Sequence, residues 1–351
     1  MGKQVGIALV LAALVFFLPW LWGGEGAASP PEPAAEEDGG PAAPEDAPPQ
    51  PAPGIDRNVT LNVLIGGELK QMDMASYLMG VVRAEMPASF EAEALKAQAV
   101  AARTYTLYKM ENGGAPGHPQ ADACDDITCC KAYLSAEDAA LSWGADSGAW
   151  EEKIQKAVED TDGECVLYRG EPVLAVFHSS SAGRTQDAAA VWSQSLPYLQ
   201  SVESPENEDT VPNYRSQASF PAGELKELLL NALPEADLSG SPSDWFTNMK
   251  VQENGSVTSL AVGGVSVSGS RLRTILGLRS ACFTLSFPGD QVVFSVTGYG
   301  HGVGMSQYGA NVLAGDGMDY REILAWYYTD TTVDQYRPRR LGQSGSEPLP
   351  G

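Results

Sequence analysis

A glutamate at a helix–proline junction is the residue of this sequence best suited to act as an acid. Glu85 is followed by Met86 and Pro87, and the proline disfavours a helical conformation at the residue before it. The preceding helix is therefore predicted to end with Glu85 in its last turn. The negative end of the helix dipole and the apolar neighbours Val81 and Val82 would raise the carboxyl pKa, as a general acid at neutral pH requires. The alternative is an ordinary solvated glutamate near a helix end.

A second group of residues has the composition of a metal site. His118, Cys124, Cys129 and Cys130 supply one imidazole and three thiols within thirteen residues. Such a set can complete a tetrahedral zinc site with no open position, so the metal would brace the loop and take no part in catalysis. A disulfide from Cys124 to Cys129 or Cys130 is the alternative, and Cys129 is the least secure of the four ligands.

Both groups need a scaffold that contains helices and strands. Apolar periodicity predicts helices over Met74–Ala84 and Phe90–Met110, and Ser89 is the expected N-cap of the second, with Glu91 and Glu93 near its positive end. Further helices are predicted over Met305–Ala314 and Tyr320–Tyr328, and strands over Asn58–Ile65, Cys165–Tyr168, Val173–His178, Met249–Glu253 and Val257–Val262. The order of these elements indicates an α+β fold, with a helical catalytic edge packed on a largely antiparallel β scaffold.

The composition of the chain narrows the classes of ligand. Its 351 residues include 22 basic and 45 acidic ones, which gives a formal net charge of −23. The phosphates of nucleic acids must be met by Lys and Arg, so nucleic acid is disfavoured, and anionic lipid surfaces are disfavoured on the same ground. A neutral ligand such as an uncharged glycan remains compatible. Apolar residues make up 43% of the chain, enough for most of it to bury a core.

The two ends of the chain differ from its middle. Val5–Trp22 is uncharged and mostly apolar, and its eighteen residues reach roughly 27 Å as a helix, just enough to cross a bilayer core. We expect an uncleaved single-pass anchor over residues 1–22 with the bulk of the protein extracytoplasmic; a cleaved signal peptide is the alternative. Residues 23–54 hold nine Pro, seven acidic residues and no Lys or Arg, which predicts a disordered tether. The folded domain is predicted over 55–337, followed by a disordered tail over 338–351.

Three separated segments resemble a single protein family. Tyr77–Tyr108 contains Ala84-Glu85-Met86-Pro87, and it is followed in order by Phe177–Thr185 and Gly298–Ala310. Together they resemble stage II sporulation protein D and the related amidase-enhancer domain over roughly residues 57–330. Some sporulation D proteins carry zinc at the place that corresponds to residues 118–130, which favours a structural zinc over the disulfide here.

The resemblance implies an enzyme of the cell wall. Members of the family are lytic transglycosylases that cleave peptidoglycan strands stripped of their stem peptides during engulfment in endospore-forming bacteria. In that scheme Glu85 is the single acid/base: it protonates the glycosidic oxygen and then takes a proton from the C6 hydroxyl of the same sugar, closing an anhydro ring. Ordinary glycosidases need two carboxylates. The alternative function is a non-catalytic glycan-binding domain that recruits or stimulates a cell-wall amidase.

The same resemblance suggests partners, a location and glycan contacts. Partners would be the glycan strands, a cell-wall amidase and other engulfment proteins, and the location would be the mother-cell membrane, facing the intermembrane space. Glycines at alternate positions of Gly298–Gly304 would leave one face of an extended segment free of side chains, for a ligand or for close packing. Ser179 beside His178 does not indicate a serine hydrolase, because adjacent strand residues point to opposite faces. The candidate substrate contacts are Gln98, Arg103, Tyr105, Ser179, Arg184, His301, Gln307 and Tyr308, with a structural ion pair as the alternative for Arg103.

Overall fold

The structure, a computed structural model, describes residues 54–192 and 194–338. These residues belong to one compact unit that begins at Pro53. The predicted anchor, the tether up to Pro53 and the tail after Pro338 lie outside the described residues. Within the described part, no helix combines the length and the apolar character that crossing a bilayer requires.

The first stretch of the described chain combines helices with short sheets. Its elements, in order, are β1 (Thr60–Ile65), β2 (Glu68–Asp73), α1 (Met74–Glu85), α2 (Ala92–Glu111), β3 (Ala123–Cys124), α3 (Ala136–Trp143), α4 (Ser147–Glu159), β4 (Glu164–Tyr168), β5 (Glu171–Pro172), β6 (Phe177–His178) and α5 (Ala188–Trp192). The antiparallel hairpin of β1 and β2 leads directly into α1, whose N-terminus is capped by the Asp73 side chain. Strand β3 pairs in parallel with β1, which places the cysteine loop beside the hairpin.

Residues 215–297, the inserted module, have a hydrophobic core of their own. In order, they form β7 (Arg215–Pro221), α6 (Ala222–Ala232), β8 (Phe246–Val251), β9 (Val257–Val262), β10 (Val265–Ser268), α7 (Gly269–Leu276), β11 (Phe283–Ser286) and β12 (Gln291–Thr297). The strands make two antiparallel sheets, ordered β10-β9-β8 and β11-β12-β7. The core of the module, which includes Leu272 and Phe294, is separate from the core around α2.

After the inserted module the chain returns to the first core. It forms β13 (Met305–Ser306), α8 (Gln307–Gly315), α9 (Tyr320–Tyr327) and β14 (Thr332–Gln335). Strand β13 pairs in parallel with β6, and β14 pairs antiparallel with β4. These pairings join the two ends of the fold across the insertion, so the three separated sequence motifs reach the same core.

Helix α2 lies at the centre of that core. It contacts α1, α4, α8, α9 and β4. Its buried small residues are Ala94, Ala97, Ala99, Ala101 and Ala102. A helix that is buried all round lacks the single apolar stripe of a surface helix and can be surrounded by other elements. As a result, the end of α1 and the beginning of α8 meet on α2, and this meeting point positions the candidate acid.

The α+β class predicted from the sequence is confirmed, with antiparallel pairing in most sheets. The N-cap predicted at Ser89 is wrong: residues 87–90 form a turn in which the Phe90 N–H donates to the Pro87 carbonyl, and α2 begins at Ala92. Two other expectations differ: Met305 and Ser306 form β13 instead of a first helical turn, and the predicted strand Val173–His178 forms only at its end. Helices α3 and α4 were not predicted by any pattern.

Candidate active site and cysteine cluster

Glu85 lies where the sequence predicts, at the C-terminal end of α1. The helix ends there because Met86 is extended, with φ −131°. One carboxyl oxygen of Glu85, Oε1, accepts a hydrogen bond from the backbone N–H of Ala132 at 3.2 Å. Desolvation raises the carboxyl pKa, and it outweighs the lowering effects of the nearby Lys131 charge and of the Ala132 hydrogen bond. The predicted direction of the pKa shift is confirmed, with burial of the carboxyl as its main cause.

Lys131 is a component of this site that no sequence pattern indicated. Its Nζ lies 3.7 Å from the centroid of the Phe177 ring and 4.4 Å from that of Tyr105, so two aromatic faces hold the ammonium. Burial lowers the Lys131 pKa, whereas the Glu85 charge raises it. No carboxylate of the described chain is among the groups that shift the Glu85 pKa. Lys131 follows Cys130 in a loop, where no helical or strand periodicity marks a buried side chain.

The side chain of Gln307 binds the backbone of Glu85 and is itself held by Gln98. The amide Nε2 of Gln307 donates to the Glu85 carbonyl oxygen at 2.9 Å and to Oε1 of Gln98 at 3.2 Å. Gln98 is fully buried and Gln307 is 6% exposed. Neither glutamine has the exposed surface of a glycan contact, which corrects their prediction as substrate contacts. Both are positioning residues that join α1, α2 and α8.

Arg103 is a structural residue, which corrects its prediction as a substrate contact. Its side chain has no exposed surface. The guanidinium donates to both carboxylate oxygens of Asp56 at 2.6–2.9 Å. It also donates to the backbone carbonyls of Val158 at 3.3 Å and Glu164 at 3.1 Å. All of these partners belong to the protein core. Arg103 therefore forms a structural ion pair, which the sequence analysis gave as the alternative to a substrate contact.

The tyrosines of the predicted site are partly exposed. Tyr105 donates from its hydroxyl to the Cys129 carbonyl at 3.5 Å, and burial together with the neighbouring cysteines raises its pKa to about 12. Tyr308 packs edge-to-face on Phe90, with 4.9 Å between the ring centroids. Burial raises the Tyr308 pKa. Tyr105 therefore belongs to the Glu85 and Lys131 neighbourhood, while Tyr308 lies at the first turn of α8.

The alternating glycines form a loop and not the predicted extended segment. All four have a positive φ: Gly298 (76°), Gly300 (116°), Gly302 (80°) and Gly304 (70°). This region favours glycine because a Cβ crowds the backbone there. A Cβ on Gly298 would lie 2.8 Å from the Ser180 carbonyl oxygen, and one on Gly302 would lie 2.6 Å from Cγ of Gln186. The glycines thus permit close packing against the segment 176–186 of the same chain, as the packing alternative proposed.

His301 uses both of its ring nitrogens inside the protein. Its Nδ1 accepts the Val303 N–H at 3.1 Å, so its Nε2 carries the proton and donates to the Phe177 carbonyl at 3.1 Å. Burial and nearby positive groups lower the His301 pKa well below its usual value. The ring of Trp192 lies 5.4 Å away and is 38% exposed. His301 can therefore offer a glycan an aromatic face shared with Trp192, but not a free ring nitrogen.

Ser179 and Arg184 lie on the segment that packs against the glycine loop. The Ser179 carbonyl accepts the Tyr308 N–H at 3.0 Å, which fixes the start of α8. Arg184 pairs with Glu203 at 3.4 Å, donates to the Ser201 carbonyl at 3.3 Å and lines an open cleft. Both side chains are partly exposed, so both keep the access that a glycan contact needs.

His178 does not activate Ser179. The imidazole is buried, and its Nε2 lies 2.8 Å from the hydroxyl of Ser181 while Nδ1 lies 3.1 Å from the Val303 carbonyl. Because a carbonyl oxygen can only accept, Nδ1 donates and Nε2 accepts from Ser181. Burial lowers the His178 pKa to about 4. The neutral histidine is part of a buried polar network between β6 and the glycine loop.

The cysteine loop brings three thiols together. The sulfur atoms of Cys124, Cys129 and Cys130 all lie within 4.8 Å of one another, and Cys129 and Cys130 are 3.6 Å apart. A zinc ion bound at about 2.3 Å from each sulfur would require separations of about 3.8 Å, so the three thiols fit a tetrahedral metal site. All five cysteines of the chain are free thiols. Burial raises the Cys129 pKa to about 12.

His118 is placed differently from the prediction. Its imidazole lies outside the group of three sulfur atoms and acts on the carboxylate of Asp126, whose pKa is lowered mainly by hydrogen bonds from Thr128. Cys129, the least secure ligand by sequence, lies in the group. The structure therefore brings together the three thiols of the predicted set and leaves its imidazole apart.

Proteins of similar sequence identify the family. A family profile described as stage II sporulation protein matches residues 67–168, which contain Glu85 and the three clustered cysteines. The chain is 34% identical over 267 residues to stage II sporulation protein D of Bacillus subtilis, with 76% of each chain covered. It is 30% identical over 306 residues to the amidase enhancer of Bacillus subtilis, with 74% of this chain and 40% of the enhancer covered. It is 28% identical over 271 residues to an uncharacterized protein of Brachyspira hyodysenteriae, with 76% and 68% covered.

These matches define a cell-wall-related sporulation protein. The match to stage II sporulation protein D extends well beyond the first sequence motif, over 76% of this chain. The chain belongs to the stage II sporulation protein D family.

Proposed function

We propose that this protein is a lytic transglycosylase that cleaves peptide-free peptidoglycan strands during sporulation, with Glu85 as its single acid and base. The observation that supports this proposal is the state of the Glu85 carboxyl. It is partly exposed, its pKa is raised by burial, and the charged group that acts on it is the cation Lys131. A raised pKa favours the protonated carboxyl, which is the form that can donate a proton to a glycosidic oxygen.

The first proton transfer requires the neutral acid. Glu85 donates its proton to the glycosidic oxygen that leaves C1 of N-acetylmuramic acid, and the C1–O bond breaks. Positive charge develops on the sugar while the carboxylate forms beside it. The Lys131 ammonium, which lowers the Glu85 pKa, stabilises that carboxylate and so favours release of the proton.

The second proton transfer returns the acid to its starting form. The Glu85 carboxylate takes the proton of the C6 hydroxyl of the same sugar, and the C6 oxygen bonds to C1 to close the 1,6-anhydro ring. The two steps together leave Glu85 neutral and consume no water. Gln307 holds the carbonyl of Glu85, and the Ala132 N–H holds its carboxyl, so the same group stays in place for both steps.

A structural zinc ion at the cysteine loop is part of the proposal. Cys124, Cys129 and Cys130 would hold it; the sequence assigned His118 as the fourth ligand, but its imidazole lies apart from the three sulfur atoms. When bound, the metal would stabilise the thiolates and close the loop. Lys131 directly follows Cys130, and the loop therefore carries the cation whose charge acts on the Glu85 carboxyl. Ordering the loop would place Lys131 and the Ala132 N–H against the acid.

We also propose that residues 1–22 anchor the protein in the mother-cell membrane, with the folded domain facing the intermembrane space. The sequence supports this with its apolar run and with the single basic residue, Lys3, that precedes it. Partners in this location would be glycan strands, a cell-wall amidase and other engulfment proteins. Sedimentation with membranes and an intact N-terminus on sequencing are the expected results. An N-terminus near Ala27 or Ser29 would show a cleaved signal peptide.

The proposal is tested most sharply by Glu85→Gln, which keeps the shape of the side chain and removes the transferable proton. General acid–base catalysis contributes about 10²–10⁴-fold, and because one residue performs both transfers, we expect a loss of turnover at the upper end of that range. Binding of denuded glycan strands should persist. The measurement is release of soluble products from denuded glycan by the full-length chain in detergent.

Glu91→Gln is the matched control, because Glu91 lies on the same segment but is exposed. It should leave turnover unchanged. Glu85→Gln turnover above about a tenth of wild type would show that Glu85 is not the acid.

The second candidate function is a non-catalytic domain that stimulates a cell-wall amidase. The similarity to the amidase enhancer favours it, although the match covers 40% of that protein. It predicts that the wild-type chain binds glycan strands without cleaving them and that Glu85→Gln changes neither property. Addition of a purified cell-wall amidase separates the two functions, because only the second predicts faster amidase turnover with the Glu85→Gln chain.

A further inference from the structure

Two arginines of the inserted module reach the glycine loop. Arg273 lies in the last turn of α7, and Arg279 follows shortly after the helix ends at Gly277. The Arg279 guanidinium lies over the ring of Tyr299, 4.2 Å from its centroid, and the charge of Tyr299 also acts on Arg273. The carbonyl of Arg279 accepts hydrogen bonds from the Gly300 N–H at 2.9 Å and from Nε of Arg273 at 3.1 Å. These contacts hold both arginines beside Tyr299.

Neither Arg273 nor Arg279 forms a salt bridge with a carboxylate of the described residues, although both are partly buried. The three other arginines of the described chain that are buried or partly buried are Arg83, Arg103 and Arg184. Each of those three pairs with a carboxylate. Taking a cation out of water without a partner is unfavourable. The two unpaired arginines therefore indicate a site for an anionic ligand.

The hydrogen-bond donors of the two guanidinium groups are largely unused by the protein. Nε of Arg279 is buried and has no hydrogen-bond partner among the described residues. The Arg273 guanidinium uses its Nε for the Arg279 carbonyl, and its two Nη nitrogens bind no described residue. A guanidinium presents five N–H donors in a planar fork that matches the oxygen atoms of a carboxylate or a phosphate. The pair can therefore bind such a group through charge-assisted hydrogen bonds.

The groups around Arg273 do not neutralise its charge. Burial lowers the Arg273 pKa, and no carboxylate of the described chain is among the groups that shift it. The Arg273 charge also acts on the imidazoles of His178 and His301. Burial lowers the pKa of His178 to about 4 and that of His301 well below its usual value, so both imidazoles are uncharged at neutral pH. The positive charge of the site thus remains available to a ligand.

The two arginines lie near the first turn of α8, which also holds the candidate acid. Burial raises the Tyr308 pKa, and the Arg279 charge lowers it. Tyr308 directly follows Gln307, whose amide donates to the Glu85 carbonyl at 2.9 Å. A glycan strand that is bound at Glu85 can therefore extend to the arginines.

We propose that Arg273 and Arg279 bind the carboxylate of the lactyl group of muramic acid in a peptide-free strand. This assignment rests on the proposed glycan function and adds a specificity site to it. The lactyl carboxylate is free only where the stem peptide has been removed, because in an intact strand the same carbon forms the first amide bond of the peptide. An uncharged amide cannot form the charge-assisted hydrogen bonds of a carboxylate. The two arginines therefore distinguish a peptide-free strand from an intact one.

The net charge of the protein gives such a site a second role. A peptide-free strand carries a carboxylate on every muramic acid, and a protein with a formal net charge of −23 repels a polyanion. A pair of cations without acidic partners offsets this repulsion at the place where the strand binds. A wholly neutral glycan would not require it.

The test compares denuded glycan strands with the same strands after their carboxylates have been converted to methylamides. The full-length Glu85→Gln chain in detergent is used, so that binding is measured without cleavage, by titration calorimetry at a fixed salt concentration. We expect the carboxylate strands to bind about tenfold more tightly or better, as hydrogen bonds to a charged group imply. Adding Arg273→Met or Arg279→Met should remove most of this preference and leave the affinity for the methylamide strands unchanged.

Arg271→Met is the matched control. Arg271 lies on the same helix, is exposed and donates to the Ala232 carbonyl at 3.5 Å, so both affinities should stay unchanged. Arg279→Lys keeps the positive charge and should retain part of the preference. The melting temperatures of the Arg273 and Arg279 variants should change little, because neither substitution removes a salt bridge. A loss of carboxylate preference at an unchanged melting temperature separates ligand binding from a structural role.

Equal affinity for the two kinds of strand, or a preference that persists in folded Arg273→Met and Arg279→Met, overturns the assignment while Glu85-dependent cleavage stands. Inorganic phosphate serves as a second probe. Phosphate binding that depends on the arginines, without any preference between the strands, would indicate a phosphate-bearing ligand and would also overturn the assignment. If the chain binds neither strand and wild type cleaves none, the proposed function fails together with the arginine site.

Discussion

Asp56 and Glu85 are two carboxylates of the same core that face a cation, and they face it in different ways. Asp56 receives direct hydrogen bonds from Arg103 at 2.6–2.9 Å, and both side chains are almost completely buried. Glu85 forms no ion pair with Lys131 among the described residues; the two groups act on each other only through their charges. Glu85 also remains partly exposed.

One core can thus contain both a rigid charge pair and a carboxyl that is free to react. A buried carboxylate that is held by several charge-assisted hydrogen bonds does not readily take up a proton. Burial raises the pKa of both carboxyls, so the difference lies in their contacts. Glu85 has a single backbone hydrogen bond and an exposed portion, and these allow its carboxyl to give up and take back a proton. The pair of Asp56 and Arg103 joins α2 to the segment before β1, whereas Glu85 can take part in proton transfer.

The largest expected effect is on stability, from breaking the Asp56 and Arg103 pair. Arg103→Met leaves the Asp56 carboxylate buried without its partner, and breaking such a pair costs about 3–5 kcal/mol of the free energy of unfolding. Urea denaturation of the purified full-length chain measures it. Replacing both residues, as Arg103→Met with Asp56→Leu, should recover part of the loss. A well-folded Arg103→Met chain that binds denuded glycan poorly would instead make Arg103 the substrate contact that the sequence suggested.

The next effect concerns the cysteine loop that carries Lys131. We expect one zinc ion per chain by elemental analysis, and its loss in Cys124→Ser and in Cys130→Ser with a lower melting temperature. Cleavage should fall only as far as the loop loses its order. Cys282→Ser, a change at a thiol outside the group of three, is the control and should keep the metal. Full zinc content in both loop variants would refute the ligand assignment, and His118→Ala decides the fourth ligand.

A smaller effect is expected on the pH dependence of cleavage. The Lys131 charge lowers the Glu85 pKa, so Lys131→Met should raise that pKa further. Because the reaction starts from protonated Glu85, the fall of kcat/KM on the alkaline side should move to higher pH in this variant. Lys70→Met, at an exposed lysine of β2, is the control. An alkaline limb that stays in place, or moves to lower pH, would show that Lys131 does not act on the acid.

Local sequence signals predicted the parts of the site that depend on nearby residues. Pro87, two positions after Glu85, ends α1 at Glu85. The short spacing of Cys124, Cys129 and Cys130 in the sequence allows their sulfur atoms to lie close together. The glycine repeat predicted an extended segment, and this was wrong for a physical reason. Positive φ at every second residue has the same period of two as an extended strand.

Long-range contacts could not be predicted in this way. The partner of Arg103 lies 47 residues earlier in the chain. Lys131 meets Phe177 and Tyr105 only because the cysteine loop folds back over α2 and β6. The insertion of 215–297 separates the glycine loop from the segment it packs against, so nothing local marks the packing of Gln186 on Gly302. Contacts of this kind, between residues far apart in the sequence, form only in the folded chain.

The masses of the cleavage products test the central claim most directly. Denuded glycan strands are incubated with the wild-type full-length chain, and the soluble products are measured by mass spectrometry before and after borohydride reduction. A single acid and base at Glu85 predicts 1,6-anhydro-muramic ends, lighter by one water than hydrolysis products and unchanged by borohydride. Products with reducing ends would contradict the account, because they require a water that the proposed mechanism does not use.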